Sequence, residues 1–366
     1  MIKKIVFEDC NALQYKYLKK HIAKIKRIIQ QGNFILGDDV TEFERSFADW
    51  NQSKYCIGVN SGLDALIIGI KILNLQPYSE VIVASNTYIA SILAIIHAGL
   101  TPVLVDPDPE TCNICPKNIE EAITNKTVAV LVTHLYGHPC KMTSIMNIVK
   151  KYSIKLIEDC AQAHGAEYNR IKVGNFGIGC FSFYPTKNLG GCGDGGAITV
   201  NSKILAERAF AMRNYGKDKK GKFKYVGYNS RMQVFQAAVL SNRLIDLESV
   251  NERKRQIAKM YISGISSPIE LPIEQPDCKA VYHIFNIRTK YRNDLKNFLT
   301  ECGIQTLIHY PTPPYREYSL RGLKYKSKLS DLLHKNTISL PIHINLKEEE
   351  IKYIINKVNL WARKKL

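Results

Sequence analysis

Between residues 15 and 31 the apolar side chains fall at Leu18, Ile22, Ile25, Ile28 and Ile29, with lysines between them. Spacings of three and four place them on one face of a helix, and Gly32-Asn33 supplies its stop. A second helix is predicted over 39–51. The pattern then changes. Residues 55–59, 80–84, 102–106, 128–132 and 154–158 form short apolar runs, and helical periodicity returns between several of them, at 63–70, 89–98, 117–123 and 142–151. Apolar strands alternating with helices predict an α/β fold with a mainly parallel central sheet flanked by helices on both faces.

Further along, Phe181, Phe183 and Tyr184 belong to another strand, 197–200 reads as an antiparallel one, and 205–212 as a helix. Helices through 236–240 and around 251–261 lead to a proline- and serine-dense stretch, 266–272, that marks a change of regime. Beyond it a strand at 283–288, a helix at 292–302, an exposed strand end at 306–311, an apolar run at 339–342 and a final helix over 347–366 predict a smaller α+β unit. The 366 residues divide on this reading into a large domain, 1–250, and a small C-terminal domain, 251–366.

In such sheets functional groups gather at the carboxyl ends of the strands. Ser61, Tyr88, His134, Asp159 and Gln162 all fall just after predicted strands. Lys187 follows the aromatic strand and precedes Gly190-Gly191-Cys192-Gly193-Asp194-Gly195-Gly196, a turn that ordinary helices and strands do not tolerate. A lysine becomes a nucleophile when desolvation or a neighbouring charge lowers its pKa, because only the free amine attacks a carbonyl. Taken alone, Lys187 also reads as one of many solvated surface charges. The Asn60-Ser61-Gly62 turn offers backbone N–H groups and a hydroxyl to an anion, or is an ordinary strand-to-helix turn. Asp159 alone reads as a helix N-cap. Acid, turn and lysine are more informative together than singly.

Composition is that of a soluble globular protein, 45% hydrophobic and 23% charged. No basic-then-apolar leader opens the chain, and the longest apolar run, 89–105, is broken by Ser91, His97, Gly99, Thr101 and Pro102, so a cytoplasmic protein without a membrane span is expected. Ten cysteines without framework spacing are expected as reduced thiols. Cys112 and Cys115 form a lone pair near His134, His138 and Cys140; a second pair is missing, and no metal is expected. The net charge of +18 alters the picture more. It keeps a nucleic-acid-binding or regulatory protein as a rival, although no nucleic-acid motif is present, and it also suits a small anionic substrate such as a nucleotide diphosphate. The basic run 217–224, which contains Lys219, reads as a solvated loop or as a cationic lid.

The ordered set Ser61-Gly62-Leu63-Asp64-Ala65-Leu66, Asn86-Thr87-Tyr88, His134-Leu135-Tyr136-Gly137, Glu158-Asp159-Cys160-Ala161-Gln162-Ala163-His164-Gly165, Ser182-Phe183-Tyr184-Pro185-Thr186-Lys187-Asn188-Leu189-Gly190, Asn214-Tyr215-Gly216, Asn229-Ser230-Arg231 and His309-Tyr310-Pro311 carries a resemblance. Over essentially its whole length the chain resembles the pyridoxal-phosphate-dependent nucleotide-sugar aminotransferases of the DegT/DnrJ/StrS group, in the aspartate aminotransferase superfamily. The resemblance implies a fold type I transferase in which Lys187 carries pyridoxal 5'-phosphate and, once displaced, serves as general base. It implies that Asp159 pairs with the ring nitrogen so that the ring accepts carbanion electrons, that Gln162 faces the ring oxygen, and that Tyr88 stacks on the ring. The Ser61 turn with Gly62, Leu63 and Ser182 would hold the phosphate, helped by Asn229 of the partner subunit, which makes a homodimer with shared active sites the implied assembly.

The implied amino donor is L-glutamate, which leaves pyridoxamine phosphate, and the acceptor is a nucleotide-linked keto-sugar. Tyr184, Tyr215, Lys219, His309 and Tyr310 are candidates for the substrate side; each aromatic among them also reads as a packing residue. Several sugar aminotransferases of this group have threonine where this chain has Leu63. The leucine form, with Asn86-Thr87-Tyr88-Ile89-Ala90-Ser91, resembles the branch that aminates carbon 3 of dTDP-3-keto-6-deoxyhexoses for glycan, lipopolysaccharide O-antigen or S-layer biosynthesis. Amination at carbon 4 of a UDP- or dTDP-4-keto-6-deoxy sugar is the alternative. Thr186 and Gly191-Cys192 depart from the small residues common in close relatives. Members with histidine in place of the lysine are dehydratases, an outcome that Lys187 opposes.

Overall fold

Runs of β-branched residues, apolar on both faces, place the sheet at the centre, and the computed structural model describes residues 4–266 and 268–365, with the side chains of 10–14 outside the description. In chain order, α1 (Cys10–Gln31) and α2 (Asp38–Asn51) precede β1 (Tyr55–Val59) and α3 (Gly62–Lys71). β2 (Glu80–Ala84), α4 (Ile89–His97), β3 (Thr101–Val105), α5 (Pro116–Glu121), β4 (Thr127–Thr133), α6 (Met142–Lys151) and β5 (Lys155–Asp159) follow in regular alternation. A small hairpin, β6 (Glu167–Tyr168) and β7 (Ile171–Lys172), leads to β8 (Ile178–Ser182), β9 (Gly196–Val200), α7 (Lys203–Met212), α8 (Val234–Leu244) and α9 (Leu247–Gly264).

Seven of these strands form one sheet in the order β1-β9-β8-β5-β4-β2-β3. β9 runs antiparallel to both neighbours, as its sequence suggested, and the other pairings are parallel. Alternation along the strands divides the core. Val81 and Val83 pack with α3 and α4 on one face, and Ile82 and Ala84 with α5 and α6 on the other. Each buried Val or Ile contributes about 2 kcal/mol. Because Thr133 pairs with Asp159 and Asp159 with Cys180, the ends of β4, β5 and β8 align on one edge. β1 is antiparallel to β9 and so points the same way as β8, which brings the Ser61 turn to that edge as well.

A second core lies beyond α9. β10 (Cys278–Lys279) pairs back onto β6; β11 (Phe285–Arg288), α10 (Arg292–Glu301), α11 (Lys328–Asn336), β12 (Thr337–Leu340) and α12 (Glu348–Arg363) follow. Phe285 pairs with Leu340, and the β11–β12 ribbon is packed with Leu295, Leu299, Ile354 and Trp361. Ile5 joins this core and pairs with Ile304. α9 crosses the expected division at 250, because Val250, Ile257 and Tyr261 form one continuous buried stripe. The predicted final helix stops at Arg363, and Leu366 lies outside the described residues.

Three local expectations need correction. β8 ends at Ser182, two residues before the aromatic run does: Phe183 still donates in register to the Gly195 carbonyl, but its own carbonyl accepts from Gly191 of the following turn. Asp159 ends β5 and is followed by turns, not a helix, so it caps no helix. The basic run 217–224 is a tight hairpin, not a loose loop: Lys217 bridges Phe223, and the Asp218 carboxylate accepts the N–H groups of Lys220 and Lys222 and pairs with Lys224. Among the described residues no helix is long and apolar enough to cross a membrane. The cysteines whose side chains are described are all free thiols.

Candidate active site

Aromatic packing fixes the segment that carries Lys187. Phe181 and Phe183 are fully buried and meet Phe47 of α2 edge-on at 5.1 and 5.5 Å, while Phe43 meets Phe183 at 5.3 Å. From that anchor the chain turns tightly: Lys187 donates its N–H to the Tyr184 carbonyl at 2.9 Å, and Gly191 donates to Phe183 at 2.8 Å. A Cβ at Gly190 would lie 2.3 Å from the Pro185 carbonyl oxygen. None of the glycines from 190 to 196 has a positive φ, so the glycine density here serves close approach of backbone rather than left-handed geometry.

Lys187 is partly buried, and desolvation lowers its pKa from the ordinary 10.5 to about 8, against the opposing pull of Asp159. Its Nζ lies 3.4 Å from Nε2 of His283. Asp159 is buried. Its Oδ2 accepts from the Ser91 hydroxyl at 2.7 Å, and its Oδ1 accepts the Ala161 N–H at 3.1 Å. Burial pushes this carboxyl above the ordinary range, while the Ser91 and Ala161 bonds and the nearby lysine pull it back. Ser91 is in turn bonded to Thr87 and Thr133, which close a small hydroxyl network beneath the acid.

Gln162 is held at both ends. Its Oε1 accepts the Tyr136 N–H at 2.6 Å, and its Nε2 donates to the Tyr310 hydroxyl at 2.9 Å. The Tyr310 ring lies 5.0 Å from that of half-exposed Tyr88, so Gln162, Tyr310 and Tyr88 form one wall. His309 bonds Ser339 through Nδ1 at 2.9 Å, and burial followed by the Lys187 charge pushes its pKa down to about 4. At the other side, the Ser61 hydroxyl accepts the Asp64 N–H at 3.1 Å and so caps α3. The first N–H groups of the helix, at Gly62 and Leu63, have no acceptor within it and lie where an anion is best received. A Cβ on Gly62 would sit 2.6 Å from Cβ of Ser182, so the turn and Ser182 are already in contact.

Other predicted residues stand apart in the single chain. Tyr184, Tyr215 and Lys219 are exposed; Arg231 stacks over the Tyr215 ring at 5.6 Å. Asn229 is exposed too, although its neighbour Ser230 ties the segment to the cofactor-side turn through Asn60 and Asp64. His134 belongs to the frame rather than the site: its Nδ1 accepts the Cys140 N–H, and its Nε2 meets Glu158, which also accepts the N–H groups of Gly174, Phe176 and Gly177. His134, Glu158 and Cys160 lie close enough to hold a metal ion, but those hydrogen bonds already use both carboxylate oxygens and both ring nitrogens.

Sequence reasoning missed Ser91, Tyr136 and His283. Ser91 stands one helical turn beyond Tyr88 and could have been placed by that spacing. Tyr136 follows β4 within the His134-Leu135-Tyr136-Gly137 motif and could have been placed by the strand-end rule, whereas His283 approaches from a distant segment and carries no local signal.

An amine of lowered pKa, a buried acid, an aromatic wall and an open helix N-terminus on one sheet edge define an enzyme of the class that binds a phosphorylated pyridine aldehyde through lysine. The donor set fits pyridoxal phosphate: the lowered pKa brings the free amine of Lys187 within reach of neutral pH, Asp159 suits a cationic ring nitrogen, and the close Gly62–Ser182 contact brings a hydroxyl to the α3 terminus. The chain belongs to the DegT/DnrJ/EryC1/StrS aminotransferase family, which it matches over residues 16–359. It is 48% identical to the dTDP-3-amino-3,6-dideoxy-alpha-D-galactopyranose transaminase of Aneurinibacillus thermoaerophilus, over 98% of this chain and 99% of that one. The crystal structure of S. venezuelae DesV in complex with a ketimine intermediate superposes with a TM-score of 0.95 at 38% identity, covering 98% of each chain. NtdA of Bacillus subtilis with bound cofactor PMP gives a TM-score of 0.92 at 28% identity, covering 99% of this chain and 86% of that one. The protein is therefore a pyridoxal-phosphate-dependent aminotransferase with the fold type I architecture expected for it.

Proposed function

We propose that this aminotransferase moves an amino group from L-glutamate to carbon 3 of a dTDP-linked 3-keto-6-deoxyhexose. The observation that carries the sugar assignment is the 48% identity, over almost the full length of both chains, to a transaminase named for a dTDP-3-amino-3,6-dideoxy sugar. When bound, pyridoxal phosphate supplies a carbonyl that takes up the amino group and a ring that accepts electrons from the neighbouring carbon. Lys187 holds the group through Nζ and, when free, moves a proton at that atom. Asp159 would keep the ring nitrogen protonated, and Gln162 and Tyr88 would hold the ring. Ser61, Gly62, Leu63 and Ser182 receive the phosphate.

Asn229 of the partner subunit completes the phosphate site in a homodimer with shared active sites. Support for that assembly comes from α1 and the segment after it, which leave Leu18, Ile22, Ile29, Phe34 and Ile35 exposed, beside a groove of about 520 Å³ lined by Leu18, Ile22 and Phe235. Tyr184, Tyr215, His309 and Tyr310 face the sugar, and Lys219 of the Asp218-braced hairpin meets the diphosphate. The division into domains 1–250 and 251–366 belongs to the same reading, with Ile5 added to the second core.

Offering dTDP-linked 3-keto and 4-keto sugars side by side with L-glutamate, and identifying products by mass spectrometry, tests the proposal. Amination of the 3-keto compound is expected; amination of only the 4-keto compound refutes the assignment. The visible absorbance of lysine-bound cofactor should vanish in Lys187→Ala.

A further inference from the structure

His283 sits in the segment before β11, far in sequence from every motif discussed so far, yet its ring meets the reactive amine. We infer that His283 is a positioning residue for the reactive lysine: its Nε2, 3.4 Å from Nζ of Lys187, accepts a hydrogen bond from the amine and holds that nitrogen in one orientation. This rests on the reading of Lys187 as the reactive amine.

Hydrogen-bond chemistry fixes the direction of the contact. A lysine ammonium has three donors and no acceptor, so in its charged form Nζ can only donate. His283 is buried, and burial followed by the charges of Lys187 and Lys254 holds its pKa far below the ordinary 6.5, so the ring is neutral and one nitrogen accepts. Opposite the charged amine Nε2 is the acceptor, and in that tautomer the ring proton belongs on Nδ1, a buried nitrogen with no hydrogen-bond partner among the described residues. A histidine that donated to the amine instead would occupy the lone pair that Lys187 needs as a base.

The groups that face this pair are few and known. Asp159 approaches Nζ from the end of β5, and it is the anion that favours the ammonium. His164, Lys254 and His309 act on the imidazole from three other segments, and each disfavours its protonation. On the far side Glu8, Asp9, Arg243 and His343 share a small cavity with Lys187 and Lys254. Glu8 and Asp9 are the acids on that side, but burial comes first among the causes acting on the imidazole and the charges of Lys187 and Lys254 follow, and all of these disfavour its protonation. When Nζ takes up a proton, the new ammonium therefore finds its acceptor already in place, and the proton stays on Nζ. A side chain with four rotatable bonds is thereby preorganised for its next transfer.

The test reads the amine itself. In the cofactor-free full-length protein, the rate at which Lys187 reacts with an acylating reagent is followed against pH by peptide mass spectrometry. Wild type should titrate near pH 8. His283→Phe removes the acceptor that favours the ammonium and should lower the midpoint by about one pH unit. His283→Gln, whose amide oxygen reaches the Nε2 position, should restore it, and the acid limb of the activity profile should move in step. Should the phenylalanine variant fail to fold, His283→Asn replaces it, since its shorter amide leaves Nζ without an acceptor and predicts the same lowered midpoint. Equal midpoints in wild type, Gln and the acceptor-less variant overturn the inference, as does a Gln variant shifted as far as Phe or Asn. A wild-type Lys187 that fails to titrate near 8, or a cofactor band that survives Lys187→Ala, would instead overturn the reading of the lysine.

Discussion

Replacing Lys187 by methionine should abolish activity and stabilise the cofactor-free protein at pH 7. The magnitude follows from the lysine pKa, ordinarily 10.5 and here lowered to about 8 by burial. At about 1.4 kcal/mol per pH unit, holding the charged amine in the folded state costs roughly 3 kcal/mol. Below pH 8 the side chain is charged in both folded and unfolded chains, and the cost is present in full. Between pH 8 and 10.5 the unfolded chain binds more protons than the folded one, so stability rises with pH and the cost disappears. Methionine has similar length and no charge at any pH. Lys187 is only partly buried, so water offsets part of the penalty, and a gain of about 1–3 kcal/mol is expected.

Urea unfolding of the cofactor-free proteins from pH 6.5 to 10 measures the effect. The methionine variant should be ahead at pH 7, with the gap closing above pH 8 and largely gone by pH 10. A variant less stable than wild type at pH 7, or a gap that stays flat with pH, refutes the reasoning. Saturating pyridoxal phosphate should reverse the order, because the wild type alone gains the covalent link and binding to the folded state adds stability by mass action.

Two further substitutions probe the frame and the phosphate cup. Glu158→Gln puts an amide donor among the N–H groups of Gly174, Phe176 and Gly177 and should cost about 2–4 kcal/mol, read as a lowered urea midpoint with the fold retained; an unchanged midpoint would show that the hub is dispensable. Gly62→Ala places a methyl group 2.6 Å from Cβ of Ser182 and should weaken cofactor binding about tenfold in a visible titration, whereas unchanged affinity would mean that the turn yields freely.

Period and ordering made most of the large sheet legible in the sequence. β1 to β5 were predicted within a residue or two because strands buried on both faces leave unbroken apolar runs. Lys187, Asp159 and the Ser61 turn were legible because a parallel sheet gathers its strand ends on one edge. What escaped notice was made by contact rather than by periodicity. The β6–β7 hairpin is too short to carry an alternation, and α11 spans only nine residues, with three apolar positions, Leu329, Leu332 and Leu333, in an otherwise polar stretch. His283 reaches the site from a segment whose approach depends on how the second core docks, whereas Tyr136 follows β4 on the same sheet edge and was legible only as part of a motif. Asp159 was the opposite case: its local sequence suggested a cap, and the structure uses it as a buried acid bonded to Ser91.

The two central charges are displaced in opposite directions by one cause. Burial raises the Asp159 carboxyl and lowers the Lys187 amine, so each is held toward its neutral form. Their mutual attraction offsets only part of that burden, since both shifts survive it. On the proposed reading, a ligand with a cationic ring nitrogen near the acid and an anionic phosphate at the start of α3 would supply countercharges to both without adding water. Bond formation at Nζ also removes the need to hold an isolated ammonium. On that reading, part of the affinity for the cofactor would be relief of an electrostatic penalty built in by Asp159 and Lys187. Asp159→Asn should therefore weaken that affinity by more than the loss of one hydrogen bond accounts for, although it leaves the oxygen that accepts from Ser91 in place.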